Sequence, residues 1–338
     1  MFEVGCWVLE VSVPKAVCAS TPHPPHSTTL AREILPRGNH AAGVSGRNNS
    51  NISRREFLRT TATAAVGLAA LGSQAAAPAP RESAGLIDTN VSLGRWPFRR
   101  LPLDETPKLV AKLRRHGVTQ AWAGSFEAAF GTDLATANAR LVEECRKHGR
   151  GLLVPFGSVN LAAGDWEMEF NRCVEKHRMR GLRLFPNYHG YKLDDPAFKK
   201  LLSLCAGKKL AVQIAADLED ERTQPASAAV PHVDAKPLPA LLKRFPTARV
   251  MLLNWQRSVP ATLVSQLAAA GVGFDIATLE NVGGVAELIG KISPERVMFG
   301  SHAPFFYFES ALLKLKESAL SETQAASVRE LNARRWLA

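Results

Sequence analysis

LIDTNVSLGRW, residues 86–96, opens the ordered pattern of this chain. On a simple two-residue alternation Ile87, Val91 and Leu93 share one side of a strand, while Asp88, Asn90 and Ser92 share the other. A strand with three small polar side chains on one face is either half exposed or opens into a site. Gly94 ends it. Thr106-Pro107 then opens a helix, with proline at a first-turn position where its missing N–H is harmless, and Gly117 closes that helix. Another apolar run, 118–123, follows at once, so the segment reads as one strand–helix–strand unit.

The same rhythm continues to the C-terminus. Strands are expected at 86–92, 118–123, 152–159, 182–187, 210–216, 249–254, 272–277 and 297–302. Helices are expected at 106–115, 133–148, 165–178, 236–245, 259–270, 282–291, 307–319 and 321–336, with another opened by Asp195-Pro196. Alternation of this kind implies parallel pairing. Eight units in about 250 residues is the count and size of a closed (β/α)8 TIM barrel. A doubly wound open sheet is the competitor, but its Gly-rich phosphate turn is missing after the first strand. The barrel is the expected fold, spanning 86–338.

Ahead of it the chain is of another kind. Residues 53–59, SRREFLR, precede the soft small-residue run TTATAAVGLAALGS. Arg54, Arg55, Phe57 and Leu58 in that order resemble a twin-arginine export signal, with cleavage expected after Ala75. The apolar run is shorter than the roughly 20 residues a membrane span needs, so no stable span is expected. The expected organisation is a disordered leader over 1–52, with translation starting downstream of Met1, a signal peptide over 53–75, a linker over 76–85 and the barrel. A periplasmic or extracellular location follows.

With 46% hydrophobic and 22% charged residues, the 338-residue chain can bury a large core. Its net charge is +11, of which +8 falls in 76–338, spread along helical faces with no basic run interleaved with aromatics. That argues against nucleic-acid binding and leaves a small-molecule substrate, with an anionic one in view. The sequence sets no oligomeric state. The five cysteines include no C-x-x-C pair, and Cys145, Cys173 and Cys205 lie in separate helices, as buried thiols do.

Barrel chemistry sits at the carboxyl ends of strands. Here those ends carry Asn90 and Ser92, Tyr188 and His189, Gln213 and Asp217, Asn254, Asp275, and Ser301 with His302. IDTNVS, GLRLFPNYHGY, EDERTQ, FGSHAPF and LNARR together resemble the amidohydrolase-related branch of the metal-dependent hydrolases, across about 86–338. That resemblance implies a barrel and a divalent metal such as zinc, held by two histidines in D-x-H-x-H, histidines after strands five and six, and an aspartate after strand eight. The matching positions here are Asn90, Ser92, Ala215, Asn254 and His302. No metal ligand is therefore assigned, and no cofactor is expected.

The expected catalytic group is His302 as base, Asp88 orienting it, and Arg183 with His189 stabilising an oxyanion. Asn90, Ser92, Tyr188, Gln213, Arg222 and Asn254 are expected to bind substrate. The implied function is a hydrolase acting on a small lactone, ester or amide without the usual metal. The alternatives are a non-catalytic barrel binding a small anion, and a rebuilt metal site of Asp88, His189 and His302. Trp96 with Arg99 and Arg100 reads either as a pocket mouth or as a packed loop. His232, between prolines, reads as surface.

Overall fold

The computed structural model describes residues 85–338. The leader, signal and linker expectations thus lie outside the described residues, Gly85 excepted. Eight parallel strands follow one another in space in chain order: β1 Leu86–Leu93, β2 Val118–Ser125, β3 Leu153–Gly157, β4 Gly181–Leu184, β5 Ala211–Ala215, β6 Arg249–Leu253, β7 Gly273–Asp275 and β8 Val297–Met298. The segment after β8 joins β1, with the Thr89 and Ser92 amides donating to the Phe299 and Ala303 carbonyls at 2.9 Å. A TIM barrel results.

The helices between strands are α1 Thr106–Arg115, α2 Glu127–Phe130, α3 Leu134–Glu144, α4 Trp166–Asn171, α5 Pro186–His189, α6 Pro196–Gly207, α7 Leu238–Arg244, α8 Ala261–Ala269 and α9 Gly284–Lys291. After β8 come α10 Phe308–Glu317, α11 Glu322–Ala326 and α12 Asn332–Leu337. Proline stands in the first turn of α1 and α6, as expected. Ser321 and Gln324 form a capping box on α11. The fourth strand is shorter than expected because Pro186 starts a helical turn there. The eighth ends at Met298; beyond it the Ser301–Ala303 backbone is held by Asp88 and β1.

All eight residues of β1 are buried, which removes the half-exposed reading. Its alternation is not simple. The register against β2 shifts between Asp88 and Val91, so Ile87 joins the plug at the floor of the barrel while Val91 and Leu93 pack toward the helices. The plug also contains Trp122, Phe156, Met251 and Met298, closed by Trp336 and Leu337 of α12. Burying each such side chain contributes roughly 1.5–3 kcal/mol. Cys145, Cys173 and Cys205 are free and buried, and burial pushes all three thiols up.

Candidate active site at the carboxyl end of the barrel

Above the apolar floor lies a polar layer centred on Arg183 of β4, which is 1% exposed. All five of its N–H donors are engaged by the protein. Nε donates to Gln213 Oε1 at 2.9 Å, Nη1 to the Val91 carbonyl at 2.8 Å and Ser92 Oγ at 3.3 Å, and Nη2 to the Thr89 and Trp122 carbonyls at 3.3 and 3.1 Å. Gln213 Nε2 completes the layer by donating to the Thr89 carbonyl at 2.6 Å. Gly124 makes room: a Cβ there would sit 2.7 Å from Arg183 Cδ. Burial draws the guanidinium down to about 10, opposed by Asp88 and Asp275, so it stays charged at neutral pH.

A second network lies over β1, β6, β7 and β8. Asp88 Oδ1 accepts from the Asn90 and Ser301 amides at 3.0 Å, and Oδ2 from the Ser301 hydroxyl at 2.5 Å. Asn90 Nδ2 donates to Asn254 Oδ1 at 2.8 Å and Asp275 Oδ2 at 2.7 Å. The Asn254 amide donates to Asp275 Oδ1 at 3.0 Å. Burial pushes the carboxyl of Asp88 up to about 6 and that of Asp275 up to about 7, against these hydrogen bonds.

Asn254 then reaches His302. Its Nδ2 lies 2.8 Å from the Asp217 carbonyl and 3.2 Å from His302 Nδ1, while His302 Nε2–H donates to the Leu218 carbonyl at 2.7 Å. Burial, with Arg183 and Lys314 adding positive charge, pulls His302 down to about 4, so the ring is neutral. It stacks on Phe305 at 4.9 Å. Asn254 and His302 both have positive φ, +55° and +57°, a strained backbone for non-glycine residues that recurs at functional sites.

Asn254 and His302 form the floor of a cavity of about 550 Å³ at the barrel mouth, within the usual range for small-molecule sites. Its walls come from the segments after β5 to β8, with Arg99 reaching over from the β1 loop. The other half of the mouth is roofed. Trp96 packs edge to face on Phe98, Phe126, Phe130 and Phe305, with centroids 4.8–5.5 Å apart. This settles the R-W-P-F-R-R stretch: Trp96 anchors the loop by packing, while Arg99 faces the cavity.

The expected residues therefore divide. Asp88, Asn90, Asn254 and His302 come together, and only the last two of these line the cavity. Arg183, Gln213 and Ser92 satisfy one another beneath it, so the expectation that Arg183 faces a developing oxyanion is corrected, since no donor is left for a ligand. His189 sits in α5 with Nε2 bonded to the Ala128 carbonyl at 2.8 Å, and Tyr188 packs on Phe130 at 4.9 Å; neither lines the cavity. The Phe-Pro turn after β4 turns both into the aromatic roof. Arg222 is exposed and held by Asp220 at 2.5 Å. Among the described residues no group of three or more His, Cys, Asp or Glu is placed to hold a metal, so Asp88, His189 and His302 form no rebuilt site.

His232 is exposed, as its surface reading expects, yet it also borders the cavity. The structure places it on the cavity wall with Nδ1 2.8 Å from Asp217 Oδ1. Among the described residues its Nε2 has no hydrogen-bond partner, and it lies 3.7 Å from Glu221 Oε2. The available signal was Asp217, the first polar residue after β5.

A parallel eight-stranded barrel with a polar cavity at the carboxyl ends of its strands is the architecture on which barrel enzymes build their sites. The chain belongs to the amidohydrolase family, whose model matches residues 94–338. In fold it is similar to 5-carboxyvanillate decarboxylase from Sphingomonas paucimobilis, at 16% identity and a TM-score of 0.60, over 75% of this chain and 99% of that one. It is similar to dihydroxybenzoic acid decarboxylase from a Polaromonas species, a structure with bound manganese and an inhibitor, at 13% identity and a TM-score of 0.59, over 75% and 96%. It is also similar to 4-oxalomesaconate hydratase from Rhodopseudomonas palustris, at 15% identity and a TM-score of 0.56, over 75% and 95%. No curated protein matches the chain. Among the described residues no helix is long and apolar enough to cross a membrane.

Proposed function

We propose that this chain is a hydrolase of a small lactone, ester or amide that works without a divalent ion, and that it is exported by the twin-arginine route. Export rests on the Arg54–Arg55 motif and its soft apolar run alone.

The donor set does not suit the metal that the family implies. At the five matching positions Asn90 points its amide N–H groups at Asn254 and Asp275, and Ser92 Oγ lies against a guanidinium. Ala215 has no donor atom, Asn254 turns its Nδ2 toward the Asp217 carbonyl and His302, and His302 has both ring nitrogens engaged. Divalent ions need lone pairs that converge, and here N–H groups and a fixed cation take their place.

The observation that carries the hydrolase reading is the Asp217–His232 pair on the cavity wall. Asp217 accepts Nδ1–H and so sets the tautomer, leaving the Nε2 lone pair to take a proton from water as it attacks a carbonyl carbon. The same imidazolium then returns that proton to the leaving oxygen or nitrogen. His302 keeps the floor neutral, and at the rim Arg99 is paired with Glu219 and Arg257 with Asp220 and Glu280. General-base catalysis contributes about a hundredfold to ten-thousandfold. In a lactone and ester panel, His232→Gln is expected to lower kcat at least about a hundredfold, with chelator leaving the parent activity unchanged. Full turnover by His232→Gln, or loss of activity on chelation restored by manganese, refutes the reading.

A non-catalytic barrel that keeps the cavity is the second reading. It is favoured by His302, whose ring nitrogens are both occupied at the position where the family places its proton-transfer group. Ligand-induced stabilisation with no turnover across the panel would select it.

A further inference from the structure

The cavity reverses the charge of the chain that carries it. The protein as a whole is +11, yet Asp217, Glu219, Asp220, Glu221 and Glu280 surround this cavity against two arginines. Both arginines already face carboxylates: Arg99 pairs with Glu219, and Arg257 pairs with Asp220, which Arg222 also holds, and with Glu280 at 2.5 Å, while His232 bonds Asp217. Negative charge is left over, and part of it lies on oxygens that accept no hydrogen bond among the described residues. The Glu219 side chain is 2% exposed, yet among the described residues its Oε2 has no hydrogen-bond partner, and neither has the buried Asp217 Oδ2.

An unpaired buried carboxylate oxygen carries a desolvation penalty that a ligand N–H would relieve. The acids line the rim without converging on one point, and among the described residues none of them joins a metal-holding group. A point-like divalent ion is therefore a poor match, and an organic cation with several N–H donors is a good one. Leu218, Phe305 and Phe306 on the same cavity supply an apolar wall.

We infer that the cavity takes an organic cation, an amine or guanidinium on an apolar body, with Glu219 Oε2 and Asp217 Oδ2 as its acceptors. The overall charge pointed to an anion; the charge at the cavity points the other way. This names the substrate class for the hydrolase proposed above and rests on that reading only for the choice of site, since it is tested by binding.

The probes are benzylammonium, benzyl alcohol and benzoate, which match in size and differ in charge, titrated calorimetrically into the purified full chain at low salt. Benzylammonium is expected to bind at least tenfold more tightly than either analogue, a difference of about 1.4 kcal/mol. Its affinity is expected to fall as salt screens the rim. Glu219→Gln should weaken it about tenfold or more, whereas Glu280→Gln, at an exposed carboxylate, should weaken it less. The wild-type charge series and salt dependence decide the matter even if Glu219→Gln fails to fold. Benzoate binding as well as benzylammonium, binding of none of the three probes, or displacement of benzylammonium by stoichiometric manganese would overturn the inference. Cation binding without turnover of any ester would instead retain this inference and remove the hydrolase.

Discussion

Replacing Arg183 by methionine tests whether this residue belongs to the fold or to the substrate. The two side chains are both long and unbranched, so little volume is lost, but five hydrogen bonds disappear at once. Thr89's carbonyl keeps Gln213 as a donor; Val91 O, Trp122 O and Gln213 Oε1 keep none from this layer. Each orphaned buried acceptor costs about 1–3 kcal/mol. Removing the guanidinium's own desolvation offsets several kcal/mol, while Asp88 and Asp275 lose the positive charge that helps them ionise. Breaking a buried charged cluster by deleting one member costs about 3–5 kcal/mol net. That is a large part of a typical stability of about 5–15 kcal/mol. At about 2–4 °C per kcal/mol for a domain of this size, Tm should drop by roughly 10 °C. Urea denaturation followed by tryptophan fluorescence reads the loss, and Arg183→Lys should recover less than half of it because one ammonium cannot reach five acceptors. A loss below about 1 kcal/mol together with a raised KM would refute the reasoning, because it would mean that Arg183 meets substrate.

Gly124→Ala approaches the same layer from the other side. Its Cβ would lie 2.7 Å from Arg183 Cδ, and a pinned guanidinium cannot step away, so a loss of about 1–3 kcal/mol is expected in the same denaturation assay. Asp275→Asn should flatten the pH dependence of stability. Asp88 near 6 and Asp275 near 7 lie above the unfolded value of about 3.9. The folded state thus holds protons that the unfolded chain has released, and their contribution is complete below about pH 4 and lost as pH rises through those values. The variant gives up a hydrogen bond to Asn90 or Asn254, so it should be the weaker protein at pH 5 and close part of the gap by pH 8. An unchanged slope in chemical denaturation across that range would refute the assignment.

Much of the barrel is written in local chemistry. Prolines at 107 and 196, the glycine at 117 and the capping box at 321–324 act within one turn of the residues they punctuate, so strand–helix alternation can be read without knowing any partner. The run Asp88–Ser92 likewise announces a strand with a polar face, though its burial shows only in the closed barrel. The site is less local. Asn254, Asp275 and His302 are each visible as polar residues at strand ends, but Asn90 meets Asn254 and Asp275 across 164 and 185 residues of chain. His232, between prolines, reads as surface and is exposed, but only the path of its loop brings it to Asp217.

The order of elements, the capped starts of helices such as α1 and α6, and the polar character of the strand tips thus follow from neighbours in sequence, because caps, prolines and periodicity act over a few residues. What each polar side chain faces was decided by closure of the barrel. Arg183 turns inward because β1 and β2 present carbonyls to all but one of its remaining donors and Gly124 leaves it room. The aromatic roof over β1–β4 then confines the open cavity to β5–β8, where a basic chain presents an acidic pocket. Burial, charge balance and hydrogen-bond satisfaction are properties of the assembled mouth, summed over segments that no local pattern connects.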